Sequence, residues 1–301
     1  MNYVLGLDLG GSSIKAVTVT PTGHLLAEAN VPFVDRDLEW AHKLRTLVAD
    51  FAAQHNGSAQ AIGLAAPGLA AKDGRCILNL PGRLIGIEGL DWTDWLGGSR
   101  PIPVINDAHA ALLGEVWQGA ARGLENVFLL TLGTGVGGAA MVDGHLLKGH
   151  LGRAGHFGHT VLDFLGPLDD VHTPGSLEYE LGNKNIQSRS GGRFPTTKAV
   201  VAAHLGGDPD ASKIWLRSVR ALAAGIASLV NILDPEAVIL GGGVADAGDP
   251  LFVPLRTELA RVEWRPGGHA VRVLHAQLGG LAGAYGAAWN AIRSSRTMAG
   301  N

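Results

Sequence analysis

Three apolar runs in this chain each end in a cluster of glycines. Tyr3–Leu9 leads into Gly10-Gly11-Ser12-Ser13, Asn126–Leu132 into Gly133-Thr134-Gly135-Val136-Gly137-Gly138, and Ala237–Leu240 into Gly241-Gly242-Gly243. Glycine lets main-chain N–H groups approach an anion closely, and Ser or Thr hydroxyls add donors, so such turns can cradle phosphate oxygens. Neither of the first two ends in the Gly-Lys-Ser/Thr of a P-loop, and both lead into strands rather than the helix of a dinucleotide fingerprint. Any one alone reads as a hairpin turn. All three together, with Asp8 in the first, favour a nucleotide. Asp8 can hold Mg2+, usually through water, or close the hairpin as an Asx turn.

A second candidate is Asn106-Asp107, which sits between the short apolar run Pro103–Ile105 and a helical pattern over Asp107–Trp117. Asp at a strand-to-helix junction is a good N-cap. The same position faces the ligand cleft of an α/β fold, where a carboxylate can take the proton of a hydroxyl attacking a phosphate. The residue types alone leave both roles open.

The elements that must position these residues are readable in outline. Tyr3–Leu9, Ser13–Thr20 and His24–Phe33 form an antiparallel meander. Asp37–His55 carries apolar residues at three- and four-residue spacing and is an amphipathic helix. Ala61–Ala66 is a buried strand stopped by Pro67-Gly68. Farther on, Val219, Leu222, Ile226, Leu229 and Leu233 mark one face of a long helix, ended by Asp234-Pro235 and followed by the strand Ala237–Leu240. Pro250–Val262 and Gly279–Ile292 are further helices, and the polar stretch 182–197 reads as a mobile loop. Val4, Leu7, Leu9 and Gly10 recur as Val127, Leu130, Leu132 and Gly133 at one fixed offset. The two hairpins close with the same four residues, Gly23–Leu26 and Gly144–Leu147. This points to a duplicated unit.

Composition narrows the class. The 301 residues carry 44 glycines, about twice the ordinary share of roughly 7%, without a Gly-X-Y period. With 46% hydrophobic and 17% charged residues there is material for two cores. A net charge of −3 gives no sign of a nucleic-acid or membrane partner, and the lone Cys76 excludes an internal disulfide. The opening MNYVLGLDLGG lacks a basic region and places Asp8 inside its apolar run, which favours a cytoplasmic protein.

Taken together, DLGGSSIK, GTGVGG and GGG after DPEAVIL resemble the phosphate and adenosine elements of the sugar kinase/actin-like ATPase superfamily. More narrowly, AAPG (Ala65–Gly68), LNLPG (Leu78–Gly82), NDAHAALLGE (Asn106–Glu115) and GxxGHFGH (Gly152–His159) are similar to the ROK family, in order from Tyr3 to Gly286. The resemblance implies two ribonuclease-H-like α/β domains flanking a nucleotide and sugar cleft. The boundaries expected are 1–107, 108–285 and a C-terminal helix, 286–301, returning to the first domain. It implies ATP contacts at Gly10, Gly11, Ser12, Ser13 and Lys15, at Gly133, Thr134 and Gly135, and at Gly241, Gly242 and Gly243. It places the catalytic base on Asp107 and sugar contacts at Gly68, Asn79, Asn106, His156, His159 and Glu178, with Mg2+ near Asp8.

The chain departs from the family pattern at several points. Relatives typically carry Glu where this chain has His156, and a bidentate acceptor there becomes an imidazole with at most one acceptor nitrogen. Many bind a structural zinc through a second His and three cysteines; here 169–176 (DDVHTPGS) has no cysteine, so no structural zinc is expected. A site from His156, His159, His172 and Asp169 is the weaker alternative. Arg83 stands where relatives often have an aromatic residue. Trp92 and Trp95 are expected in the core and Cys76 as a small buried residue.

The function expected is ATP- and Mg2+-dependent phosphorylation of a hydroxyl of a hexose or amino-hexose by a homodimer. Three rivals follow from the same residues. A sugar-responsive repressor needs a helix-turn-helix ahead of the first phosphate element, for which the residues before Val4 leave no room. An actin-like ATPase would not need NDAHAALLGE with GxxGHFGH. A kinase-like sugar sensor with weakened catalysis is motivated by His156.

Overall fold

The computed structural model describes residues 2–299. The meander forms as β1 (Val4–Leu9), β2 (Ser13–Val19) and β3 (Leu25–Pro32). α1 (Glu39–Gln54) follows two residues in left-handed conformation, Asp37 and Leu38, which shorten the expected helix at its start. It buries Trp40, Leu44, Leu47 and Phe51, the stripe predicted from spacing. β4 (Ala61–Ala66) leads through Pro67-Gly68 into the small hairpin β5 (Leu69–Ala70) and β6 (Ile77–Asn79). α2 (Trp92–Leu96), capped by the Asp91 carboxylate, β7 (Val104–Asn106) and α3 (Asp107–Gln118) complete this part. The first sheet has the order β3-β2-β1-β4-β7, with β1, β4 and β7 parallel.

The duplicated pattern then begins again. β8 (Val127–Leu132), β9 (Val136–Val142) and β10 (His145–Leu146) repeat the meander, followed by the short helices α4 (Leu177–Leu181) and α5 (Ile186–Arg189), and by α6 (Thr197–Leu205). α7 (Pro209–Leu233), β11 (Ala237–Gly241), α8 (Asp249–Val262), β12 (Arg272–His275) and α9 (Ala282–Ala299) follow. The second sheet runs β10-β9-β8-β11-β12, with β8, β11 and β12 parallel. Strand for strand it repeats the first. The internal repeat read from Val4 and Val127 is thus a repeat of topology, the ribonuclease-H-like pattern expected.

The chain divides into two units. The first takes the residues up to Gly123, Lys148–Ala154 and the residues from Gln277 onward; the second takes Leu124–Leu147 and Gly155–Ala276. The division differs from the expected boundary at residue 107, because α3 packs along α9, which itself lies on β1 and β4. The first core joins Leu5, Leu7, Trp40, Leu44, Leu64 and Trp92. Trp92 is fully buried beside Trp40, with ring centroids 5.9 Å apart, so it packs the core rather than stacking on a sugar. Cys76 is half-buried instead of buried. The second core joins Phe128, Leu130, Trp215, Leu222, Ile226 and Leu240. α7 is long and apolar enough to cross a membrane, but Trp215, Val219, Leu222, Ile226 and Leu229 are spent on that core.

The long helix read from Val219–Leu233 starts at Pro209: Asp208 accepts from the N–H groups of Asp210 and Ala211, and Pro209 occupies the first turn, where no donor is missed. One expectation is corrected. The stretch 182–197 is an ordered, helix-bearing segment rather than a mobile loop. Its polar groups are used internally: Arg189 donates to the Ser218 hydroxyl and the Gly182 carbonyl, and Ile186 is buried.

α9 approaches its neighbours too closely for side chains. A methyl group on Gly114 would overlap the Ala282 carbonyl oxygen. We therefore expect Gly114→Ala to destabilise the first unit by about 1–3 kcal/mol, an overpacking cost. At roughly 2–4 °C per kcal/mol for a unit of this size, the first thermal transition should fall by several degrees. Differential scanning calorimetry showing no shift would mean that α9 can move aside.

Candidate active site

The first glycine turn is a hairpin turn, with Leu9 opposite Ile14 and the Gly10 N–H donating to the Ser13 carbonyl. Its chemistry comes from the side chains around it. Asp8 stands on β1 opposite Lys15 on β2, and its carboxylate lies against Gly283 of α9, where a methyl group would come within 2.5 Å of an oxygen. Burial, and then the nearby Asp107 charge, push the Asp8 pKa up to about 7, although Lys15 works the other way. An acid so placed gains from a cation.

Asn106 and Asp107 divide the two roles that the sequence left open. Asn106 is the cap: its Oδ1 accepts from the Ala108 and His109 N–H groups at 3.0 and 3.2 Å. Its Nδ2 donates to the Gly68 carbonyl at 3.0 Å, which leaves one amide hydrogen for a ligand. Asp107 then begins α3 as an exposed carboxylate in the first turn, where the helix N-terminus favours its charge. Gly68 has φ +94, and a methyl there would meet the Asn79 carbonyl oxygen at 2.5 Å. The first unit thus gathers Gly68, Asn79 and Asn106, and separately Asp8, Lys15 and Asp107.

The second unit gathers the other turns. Gly133 N–H donates to the Gly135 carbonyl, closing the hairpin between β8 and β9. Gly242, at φ +85, lies against Leu132, and the Val244 N–H donates to the Leu132 carbonyl at 3.0 Å. The two turns therefore share one strand end. Beside them is a cavity of about 580 Å³ lined by Gly133, Thr134, Asn183, Lys198, Val201 and Gly243 among others. A mainly apolar wall with glycine turns at one end suits a nucleoside carrying phosphates. One wall is α6, which sequence reading missed; Thr196 at its N-cap, accepting from the Ala199 N–H, was the available signal.

Glu178 is buried at the same turn. Its Oε2 accepts from the Val136 N–H at 2.9 Å and its Oε1 from the Lys184 ammonium at 2.6 Å. Lys184 also reaches Asp170 at 2.6 Å. Burial lowers the Lys184 pKa, but its hydrogen bonds to both carboxylates outweigh this and hold it above its ordinary value. His159 Nδ1 meets Asp169 Oδ2 at 2.9 Å. Burial disfavours the Asp169 charge, yet His159 and the Thr173, Ser176 and Val171 donors hold its carboxyl below the usual range. His159, Asp169 and Glu178 lie within 4.8 Å of one another, whereas His156 and His172 are outside that group. One imidazole and two carboxylates, one already bound to Lys184, are a poor match for structural zinc. His156 itself is half-buried just before the turn Phe157–His159.

Two further residues escaped sequence reading, although both lie in NDAHAALLGE. His109 is buried, with its Nε2 2.7 Å from the Ala154 carbonyl oxygen. Glu115 is fully buried and accepts from the Ala120, Gln277 and Leu278 N–H groups.

The ROK family model matches residues 4–294. The chain belongs to the ROK family. It is similar to a glucokinase of Halalkalibacterium halodurans, 30% identical over 98% of this chain and 97% of that one. Among solved ROK structures, a hexokinase from Thermus thermophilus superposes with a TM-score of 0.87 at 31% identity, covering 98% of this chain and 99% of that one. A Streptomyces griseus glucokinase in complex with glucose and AMPPNP gives 0.80 at 30% identity, covering 97% and 100%.

Two outcomes are expected. Because Asp8 is held near 7 in the fold, its unfolded form ionises first, and stability is lost as pH rises from about 4 to 7. Asp8→Asn removes that loss, so its melting temperature relative to wild type should climb between pH 4.5 and 7.5; a constant difference would refute the buried acid. Elemental analysis of the purified protein should find no stoichiometric zinc, and one zinc per chain would contradict the donor set described.

Proposed function

We propose that this ROK protein is an ATP-dependent sugar kinase that phosphorylates a hydroxyl of a hexose or amino-hexose. The observation that carries the reading is the division of labour at Asn106-Asp107. With the helix cap supplied by Asn106, Asp107 stands exposed at the end of a parallel strand, in the unit that also carries Asp8 and Lys15. There it can accept the proton of a sugar hydroxyl as that oxygen forms a bond to the γ-phosphorus. The bond from γ-phosphorus to the bridging oxygen breaks, and ADP leaves with its electron pair. Gly68, Asn79 and Asn106 are the sugar contacts we assign to the first unit, with His156 and Glu178 assigned from the second. The cavity by Gly133 and Gly243 would take the nucleoside.

Mg2+ suits the acid at Asp8, a hard oxygen donor whose burial and neighbouring Asp107 make a cation favourable. When bound, the ion would neutralise charge on the phosphates. We further assign a homodimer acting in the cytoplasm. The support for both is the sequence reading, with the family resemblance for the first and the character of residues 1–11 for the second. A sugar sensor is the second reading, favoured by one observation: a half-buried imidazole, His156, stands where the family resemblance expects a carboxylate.

A panel of hexoses and amino-hexoses with ATP and Mg2+, followed by coupled ADP release, separates these readings. A kinase shows sugar-stimulated ADP release. An ATPase that ignores sugar, or sugar binding without transfer, would overturn the proposal. Asp107→Asn should lower kcat by about 10²–10⁴-fold while nucleotide affinity changes little. A variant that keeps most of its turnover would place the base elsewhere.

A further inference from the structure

The loop between β6 and α2 holds a cation over the first glycine turn. Its backbone is tied before residue 83 by the Leu80 N–H, which donates to the Glu88 carboxylate at 2.5 Å, and after it at Leu84. The Leu84 N–H donates to the Asp35 carboxylate at 2.8 Å, Leu84 is fully buried, and the Ile87 N–H donates to the Leu84 carbonyl at 3.0 Å. Leu84 has φ +46 and Gly82 has φ +75, so the chain turns sharply about Arg83. The Arg83 guanidinium lies directly above Gly11. A methyl group on Gly11 would overlap Nη2 and stand 3.2 Å from Cζ. Gly11 and Arg83 are both exposed, so the guanidinium meets the turn from its solvent side.

Among the described residues no carboxylate, carbonyl or hydroxyl accepts a hydrogen bond from Arg83. Arg75, in the turn between β5 and β6, shows the contrast, held by Asp91 at 2.5 Å. The strand leading into this turn carries Asp8, opposite Lys15 on β2, and Asp107 begins α3 in the same unit. A phosphoryl group brought to this turn adds negative charge beside two carboxylates. A guanidinium with two parallel N–H donors is the side chain suited to receive it.

We propose that Arg83 binds the phosphoryl group being transferred, as a catalytic residue of the kinase reaction; this rests on the function proposed above. While the acceptor oxygen bonds to γ-phosphorus, its proton passes to Asp107 and ADP departs. Arg83 donates two hydrogen bonds to the non-bridging oxygens that carry the charge. The aromatic residue that relatives often have at this position has no such donor, so the contact is a property of this chain rather than a general one.

The test compares wild type with Arg83→Met, which keeps length without charge, and Arg83→Lys, which keeps charge without the fork. Arg83 is exposed, and unchanged melting curves establish that the variants fold. Titration calorimetry with Mg2+ reads AMPPNP and ADP affinities. Arg83→Met should weaken AMPPNP by about 10–100-fold and ADP by less than about threefold, as expected for a charged hydrogen-bonding pair lost from the γ-phosphoryl alone. Its kcat should fall by about 10²-fold or more with the sugar KM nearly constant, and Arg83→Lys should lie between. A raised sugar KM with unchanged AMPPNP affinity would make Arg83 a sugar contact and overturn the proposal, as would two silent variants. Absence of sugar phosphorylation by wild type would sink the kinase reading, while the AMPPNP-to-ADP comparison would still judge Arg83.

Discussion

The first unit depends on one close approach, that of α9 to β1, β4 and α3. At Gly6 an added methyl would overlap the Ala284 carbonyl, at Gly63 the Ala287 carbonyl, and at Gly286 the Ala110 carbonyl. Helices ordinarily meet their neighbours through side chains that can rotate and repack, at interaxial distances of 8–10 Å or so. Backbone contact removes that adjustment. The consequence reaches the chemistry, because α3 begins with Asp107 and β1 carries Asp8, whose carboxylate faces Gly283. The elements that carry the two acids are thus held by close main-chain packing. Glu115 reinforces it from the far end of α3, with a buried carboxylate compensated by N–H groups on both chain segments it touches.

The second unit shows how the same sheet order can be put to other uses. β8 repeats β1, but the residue at the place of Asp8 is Thr131, so the strand itself carries no acid into its turn. The fourth strand of each sheet also ends differently. β4 runs into Pro67-Gly68 and a hairpin that brings up Asn79; β11 runs into Gly241-Gly242-Gly243, which docks on Leu132 beside Gly133. Asp8 and Asp107 therefore fall in the first unit, and the cavity beside Gly133 and Gly243 in the second. Duplication supplied the frame, and the residues at strand ends determined its use.

What could be read in advance follows from this. Turns between neighbouring strands are local, so Gly10, Gly133 and Gly241 announced themselves, and alternating or three-and-four spacing gave the strands, α1 and most of α7. The units were less legible, because the packing of α3 on α9 joins residues some 170 positions apart. The polar run 182–197 misled for a related reason. Its Asn183 and Lys184 N–H groups donate to the Gly133 and Thr134 carbonyls, and Asn183 Oδ1 receives the Thr197 N–H. Polarity there is spent on internal hydrogen bonds to a distant turn, which composition cannot distinguish from solvation. Asn106 and Asp107 were identified as a pair, but which of them caps the helix is settled by geometry.

Glu178 shows how the expected sugar contacts and the phosphate turn are physically linked. A carboxylate has about four acceptor positions, and here one is used by Val136 N–H and one by Lys184. Two remain, enough for sugar hydroxyls without displacing either partner. The partners do more than fill sites, since Val136 closes the Gly133–Gly135 turn and Lys184 shares its charge with the exposed Asp170. Gly135 has no room for a methyl beside Oε2, so the turn and the carboxylate cannot shift independently. A hydroxyl held by Glu178 is therefore registered against the turn through a chain of two hydrogen bonds and one steric contact. On the sugar contacts proposed above, Glu178 is the fixed end and His156, an imidazole with at most one acceptor nitrogen, the discriminating end.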